Sequence, residues 1–378
     1  MSNTSKLIVS VLVIIVVVIA FGAGYTFGHR VTGTSDTGPD IVEQAWDIIL
    51  DEYVDRDNID TENMTRAAIV GMLDTLNDPY TSFLAAEDYQ IGVSSLEGEF
   101  EGIGAYVTVH DKQLTIIAPI ADSPADKSGI RAGDVIMEID GEPVADMTLA
   151  EAIIKIRGPR GTTVTLLVLH EGDAEPVEIE IVRTTVEVPS VRTAMEGDIA
   201  HIAITQFSER TGEEMTEALD ELDSTTRGIV LDLRGNPGGL LDTVIDVASH
   251  FISEGTIVEV KSNEGKIATL SVDKGIETTD LPVVVLVDSA SASGSEVLAG
   301  ALQDHDRAVV AGNVTYGKGS VNVLHRLDDG SGIYITTARW LTPDGRLIEG
   351  QGIEPDIRLE VTGEDALRWA VGYLTDNG

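Results

Sequence analysis

The chain has 378 residues, 43% of them hydrophobic and only 4% aromatic, which is enough for two or three domains with real cores. Sixty-four acidic residues against twenty-five basic ones leave a net charge of −39, which repels nucleic acid and anionic lipid headgroups and argues against both as partners. Cysteine is absent, so disulfides, thiol catalysis and cysteine-ligated metal are excluded.

In chain order, Leu7 to Gly28 comes first: an uncharged Val/Ile/Leu-rich run of 22 residues. At about 1.5 Å per residue it spans roughly 33 Å, enough to cross a hydrocarbon core of about 30 Å. Ala20 and Ala23 leave a cleaved signal peptide as the alternative. The length of the run favours an uncleaved anchor over residues 1–30, with the rest of the chain extracytoplasmic. Residues 31–40 are polar and Gly/Pro-bearing, as in a linker. Residues 41–97 turn helical: Ile41, Ala45, Ile48, Ile49 and Tyr53 recur at helix spacing, and Ala67 to Leu76 forms a second amphipathic stretch. Asp78-Pro79-Tyr80-Thr81 breaks it. This region is too small for a strong core of its own and is expected to pack on a neighbour or pair with another subunit.

Residues 98–185 switch to short strands and turns, with one helix near Leu149–Ile156. Beyond Pro189, strand and helix alternate: strands at His201–Ile204, Gly228–Leu233, Val283–Val287 and Ala308–Ala311, helices at Glu213–Leu222 and Leu241–Ile252 and from Glu296 to Leu302. That rhythm implies βαβ crossovers over a largely parallel sheet across residues 186–362. Residues 363–378 form a tail whose last dozen positions read as a short surface helix and a frayed end.

Two segments carry chemistry. Glu101-Gly102-Ile103-Gly104-Ala105 leads into a strand, and Ser128-Gly129-Ile130-Arg131-Ala132-Gly133-Asp134-Val135-Ile136 and Ile139-Asp140-Gly141 follow. The stretch from Gly102 to Val182 resembles a PDZ domain. Convergent N–H groups at Gly102, Ile103, Gly104 and Ala105 would take a terminal carboxylate, and the groove beside the 149–156 helix an apolar last side chain. Arg157 and Arg160 read as solvated rather than ligand-binding. The second segment begins with a buried strand, PVVVLVD, that runs into Ser289-Ala290-Ser291-Ala292-Ser293-Gly294-Ser295-Glu296 and then a helix. Small residues there set a hydroxyl among outward-facing N–H groups. Lys318 stands between Gly317 and Gly319, and burial could lower its pKa far enough for it to act as a base.

With Leu231-Asp232-Leu233-Arg234-Gly235-Asn236-Pro237-Gly238-Gly239-Leu240-Leu241, these segments resemble the carboxy-terminal processing proteases (serine peptidase family S41), over about Ile41 to Leu359. The resemblance implies an α/β fold: a crotonase-like (ClpP-like) ββα protease core with an inserted PDZ domain, here behind an N-terminal transmembrane helix. It also implies a Ser/Lys endopeptidase that needs no cofactor or metal and docks protein tails with a free, partly apolar C-terminus. In the family the middle serine of a Ser-Ala-Ser-Ala-Ser-Glu run lies twenty-five residues before the lysine, and that spacing selects Ser293. Gly239 and Gly294 are implied as oxyanion donors. Gly294 replaces the family's alanine, and Asn322 stands where the family has the glutamine that orients the lysine. A homodimer and an adaptor protein stay open as partners, and a catalytically impaired PDZ adaptor is the rival function.

Other motifs are weaker. Gly312-x-x-x-x-Gly317-Lys318 approaches a phosphate loop but lacks the hydroxyl after the lysine, and strands rather than a helix follow it. His305 reads as a solvated turn residue rather than a triad member.

Overall fold

The computed structural model describes residues 38–377 apart from 111, 112 and 146. The chain divides into two compact units, 1–69 and 70–378. The expected membrane anchor at Leu7–Gly28 lies outside the described residues. Among those that are described, no helix is long and apolar enough to cross a membrane.

The first unit contains α1 (Gly38–Glu52) and the start of α2 (Thr61–Asp74). Helix α1 buries none of its residues, and Ile41, Ile48 and Ile49 are exposed.

In the second unit, β1 (Ser82–Leu84) and α3 (Ala86–Glu97) lead into β2 (Glu99–Gly102). A small β domain follows, made of β3 (Ala105–His110), β4 (Gln113–Pro119), α4 (Pro124–Lys127), β5 (Val135–Ile139), β6 (Glu142–Pro143), α5 (Leu149–Ile156), β7 (Thr163–Leu169) and β8 (Val177–Val182). Its strands form one antiparallel sheet, and its core gathers Ile103, Ile116, Ile136, Ala152, Leu166 and Ile181. Helix α5 begins where its sequence says it should: Thr148 Oγ1 accepts from the Glu151 N–H, and the Glu151 carboxylate accepts from the Thr148 N–H. At its other end the buried Arg183 donates to the carbonyls of Lys155 and Ile156, satisfying acceptors the helix leaves open. Strand β9 (Thr184–Glu187) pairs with β2, so a two-stranded ribbon carries both ends of this domain.

The remainder is built on β10 (Val191–Glu196), β11 (Ile199–Ile204), α6 (Thr211–Asp220), β12 (Gly228–Asp232), α7 (Leu241–Ser249), β13 (Thr256–Ser262), β14 (Ile267–Ser271), β15 (Val283–Val287), α8 (Gly294–Asp304), β16 (Ala308–Gly312), β17 (Ser320–Arg326), β18 (Gly332–Leu341), β19 (Ile357–Arg358) and α9 (Gly363–Asn377). Its main sheet runs β10-β11-β12-β15-β16-β19, parallel throughout except for the edge strand β10. Strands β12 and β15 are buried at every position, which explains why they are apolar throughout but for Asp232 at the end of β12. A second, antiparallel sheet joins β14, β13, β18, β17 and the distant β1. No local pattern announces it, because β1 is only three residues long and its partner β18 lies near the other end of the chain.

The C-terminal helix corrects an expectation. Instead of fraying, α9 lays Ala366, Leu367, Ala370 and Leu374 against Ile199, Val230, Val284 and Leu286 on one face of the main sheet. Helices α7 and α8 cover the other. Burying those strands on both sides requires α9. Leu374→Ala should therefore cost about 2–4 kcal/mol in chemical denaturation, whereas a frayed end would show no change.

Candidate active site

Three neighbouring strands, β12, β15 and β16, point their C-terminal ends the same way, and the chemistry-bearing segments are the loops that leave them. Ligand sites of open parallel sheets lie at such ends.

The loop after β15 separates the serines. Ser291 Oγ donates to the Leu233 carbonyl, and Ser295 Oγ to the Asn236 carbonyl; both residues are fully buried. Ser293 is partly exposed, and among the described residues its hydroxyl donates no hydrogen bond. Its backbone has φ 53° and ψ −112°, a conformation that costs an ordinary L-residue on the order of 1–3 kcal/mol. Strain of this kind at a strand-to-helix turn pushes a side chain outward. Of the three serines of this turn, Ser293 alone has both a positive φ and partial exposure.

The loop after β12 lies directly against it. Buried Asn236 donates to the Ile204 carbonyl and accepts from the Gly238 N–H, while its own carbonyl takes the Ala292 N–H. A side chain on Gly238, at φ 102°, would strike the Gly294 nitrogen and the Ser293 Cβ, each at 2.7 Å. The close approach of the two loops thus demands glycine. Phe207 N–H donates to the Gly238 carbonyl and Leu240 N–H to the Phe207 carbonyl, which leaves the Gly239 N–H outside that bridge. Gly294 opens α8, where the first N–H groups have no partner within the helix. At Gly294 a Cβ would meet Val244 Cγ2 at 2.8 Å and Phe207 at 3.2 Å. In this chain Val244 fills the room that the family's alanine would need.

Lys318 arrives from the loop after β16. Its N–H and that of Ser293 donate to the same oxygen, Glu296 Oε2, at 2.9 and 2.8 Å. Gly317 N–H and Thr315 Oγ1 donate to Oε1 at 2.6 and 2.5 Å. Glu296 is fully buried, and burial raises its pKa against the pull of these four donors. One carboxylate therefore clamps the serine turn to the lysine loop. The residue pattern alone assigns Glu296 no role, although Ser-x-x-Glu at a helix start is the signature of such a bond.

Burial pushes the Lys318 amine below the usual lysine value, while the charges of Glu296 and Glu349 pull it back up. Its Nζ lies over the rings of Tyr80 and Tyr334, 5.7 and 5.4 Å from their centroids. Among the described residues no hydrogen bond joins it to Ser293. Asn322 does not bond Lys318 either: its amide donates to the Tyr80 carbonyl and to Thr336 Oγ1, both at 3.0 Å, and accepts from Ser320 Oγ. After Lys318 comes β17, not a helix, so no phosphate loop forms. His305 is not solvated; Nε2 bonds the Thr256 carbonyl at 2.7 Å. It lies at the far end of α8 from Ser293.

Beneath the loops, Asp232 accepts from His201 Nε2 at 3.0 Å and from the backbone N–H and two guanidinium nitrogens of Arg234, whose third guanidinium nitrogen donates to the Gly363 carbonyl at the start of α9.

In the small β domain, the carbonyls of Ile103 and Gly104 turn inward to the N–H groups of Ala125 and Ile120. The N–H groups of Ile103 and Gly104 make no hydrogen bond among the described residues. Beside them a cavity of about 310 Å³ is lined by Ile103, Ala105, Val107, Ile153 and Ile156, with Arg157 at its side. Arg157 is not solvated: burial lowers its pKa, its guanidinium lies 4.3 Å from the Phe100 ring centroid, and it bonds Ser94.

Comparison with known proteins agrees with these features. Residues 198–359 match the model of peptidase family S41, 83–169 that of the PDZ domain, and 29–88 that of the activating protease CtpB N-terminal domain. A carboxy-terminal-processing protease of Bartonella bacilliformis is 40% identical over 307 residues, which cover 80% of this chain and 70% of the relative. The chain belongs to the carboxy-terminal processing proteases of family S41. The processing protease CtpA of Bacillus subtilis is 36% identical, with 90% of this chain and 73% of CtpA covered. Among solved structures, a photosystem II D1 C-terminal processing protease superposes with TM-score 0.51 at 30% identity, over 88% of this chain and 90% of that one. This protein is accordingly a PDZ-bearing serine protease acting on C-terminal tails, and the impaired-adaptor reading is not favoured.

The Asp232 cluster gives this protease a defined acid sensitivity. Despite burial, hydrogen bonds from Arg234 and His201 lower the Asp232 pKa from 3.8 to about 2. A depressed carboxylate stabilises the fold above its unfolded pKa and loses that contribution as pH falls through the folded one. Asp232 should contribute about 2 kcal/mol above pH 4 and progressively less between pH 4 and 2. Comparing the denaturation free energies of Asp232→Asn and the parent across that range should show their difference shrink as the pH falls.

Proposed function

We propose that Ser293 is the nucleophile, Lys318 its general base, and the N–H groups of Gly239 and Gly294 the oxyanion donors. The observation that carries this reading is the serine run itself: Ser291 and Ser295 donate their hydroxyls to backbone carbonyls, while the strained Ser293 beside the lysine loop donates to no partner among the described residues. Neutral Lys318 takes the Ser293 proton as Oγ attacks the peptide carbonyl. The negative charge that develops on the carbonyl oxygen is met by two preoriented N–H groups. Collapse of the tetrahedral intermediate releases the leaving amine with a proton from Lys318, and water then resolves the acyl-enzyme. No cofactor enters. Asn322 belongs to this machinery through Tyr80, which it holds, rather than by direct contact with the lysine.

In the same reading, Gly102, Ile103, Gly104 and Ala105 take the carboxylate of a protein tail, and the apolar cavity takes its last side chain. The protease core (186–362) is crotonase-like, with residues 98–185 inserted as the PDZ domain. Residues 1–30 anchor the protein and place the protease outside the cytoplasm, and the exposed apolar face of α1 pairs two copies.

The test compares the full chain with Ser293→Ala and Lys318→Ala on an unfolded protein ending in apolar residues. Each variant should lose about 10³-fold or more in kcat/KM with tail binding retained. Cleavage by Ser293→Ala at the parent rate would overturn the assignment.

A further inference from the structure

The Lys318 side chain has surroundings that a Ser/Lys dyad alone does not explain. Its amine is partly buried, yet among the described residues it makes neither a hydrogen bond nor an ion pair, and two tyrosine rings face it within 6 Å. Burial raises the pKa of both Tyr80 and Tyr334, so the rings are neutral phenols and offer π faces rather than phenolate charge.

The rings are brought together by an ordered network. Ser82 of β1 pairs with Tyr334 of β18, which fixes the strand that follows Tyr80 against the strand that carries Tyr334. In the turn before β1, Asp78 accepts from the Tyr80 N–H at 3.1 Å and from Thr81 Oγ1 at 2.8 Å, and the Thr336 N–H donates to Thr81 Oγ1 at 3.1 Å. Asn322 closes the network. Its one amide reaches the Tyr80 carbonyl and the Thr336 hydroxyl, and Ser320 fixes its oxygen. The Asp78 carboxylate, the Thr81 hydroxyl and the Asn322 amide thus hold the Tyr80 backbone against the strands that flank the lysine.

We propose that Tyr80 and Tyr334 form an aromatic seat for the Lys318 ammonium, held through Asn322 and the Asp78–Thr81 turn, and act as positioning residues of the proteolytic site. The proposal rests on Lys318 being the base. With Nζ over the rings, no hydrogen bond joins it to Ser293 among the described residues. Because a π face favours the charged amine, the seat opposes the effect of burial. The other groups bearing on this amine are Glu296 of α8 and Glu349 of the loop after β18; Glu349 in turn faces Arg339 of β18 at 3.9 Å. Tyr80 also feels Glu296, Glu349, Asp78 and Tyr316.

The experiment reads Lys318 directly. In the full chain carrying Ser293→Ala, the rate of Lys318 acetylation by acetic anhydride is followed against pH by mass spectrometry. Tyr80→Leu and Tyr334→Leu should each lower the midpoint by about 0.5–1 pH unit, while Tyr80→Phe and Tyr334→Phe, which keep the ring, stay on the parent curve. Should a leucine variant not fold, Asn322→Ala keeps both rings, frees the Tyr80 carbonyl and should move the midpoint in the same direction. Leucine or Asn322→Ala curves that superimpose on the parent overturn the seat, as does a phenylalanine variant that shifts as far as leucine. A cleavage assay of Lys318→Ala in the Ser293 protein separates the two ideas. Full activity there with shifted acetylation curves removes the base and leaves the seat standing; lost activity with unshifted curves does the reverse.

Discussion

The site depends on one buried carboxylate. Glu296 receives two N–H groups on one oxygen, and an N–H and a hydroxyl on the other, from segments more than twenty residues apart. An uncompensated carboxylate in that position would be expensive to bury, so the four donors and the charge require one another. The arrangement fixes the backbone of Ser293 and of Lys318 to a common point through their N–H groups and engages neither side chain. That combination suits the proposed Ser/Lys dyad, whose reacting groups must be brought close.

The parallel sheet makes this possible. Strands β12, β15 and β16 are neighbours in the sheet order, so the loops that follow them lie side by side although the sequence separates them by tens of residues. Asn236 links the first loop to the second and Glu296 the second to the third. Beneath them the Asp232–Arg234 pair reaches the start of α9, so the helix that covers the far face of the sheet is joined to the base of the catalytic loops. The antiparallel sheet contributes differently, bringing Tyr80 and Tyr334 to the lysine through β1, β17 and β18.

Much of this could be read from the residues alone. The apolar run of Val283–Val287 announced β15, and the helix expected near Leu149–Ile156 is α5. The interval between Ser293 and Lys318 singled out one serine of the run, and the proposed mechanism rests on it. What could not be read depends on pairings distant in sequence. The partner of Asn322 is a carbonyl 242 positions away, and the shape that makes Gly294 necessary belongs to Val244 and Phe207 on other elements. Helix α8 starts two residues earlier than expected, because the turn at Ser293 outweighs the weak helix propensity of Gly294 and Ser295. A helix was expected near the C-terminus, but a place at the chain end suggests fraying unless the sheet face that Ala366, Leu367, Ala370 and Leu374 cover is known. His305 and Arg157 looked solvated because nothing local reveals a carbonyl or a ring supplied from elsewhere.

The measurement that bears most directly on the account is the activity of Glu296→Gln. The amide keeps the size of the side chain but must turn its NH₂ toward two of the four donors. The clamp should open, with kcat/KM falling by about 10²-fold or more while the tail still binds the PDZ groove. A Glu296→Gln enzyme that cleaves at the parent rate with parent stability would contradict the claim that this carboxylate assembles the active site.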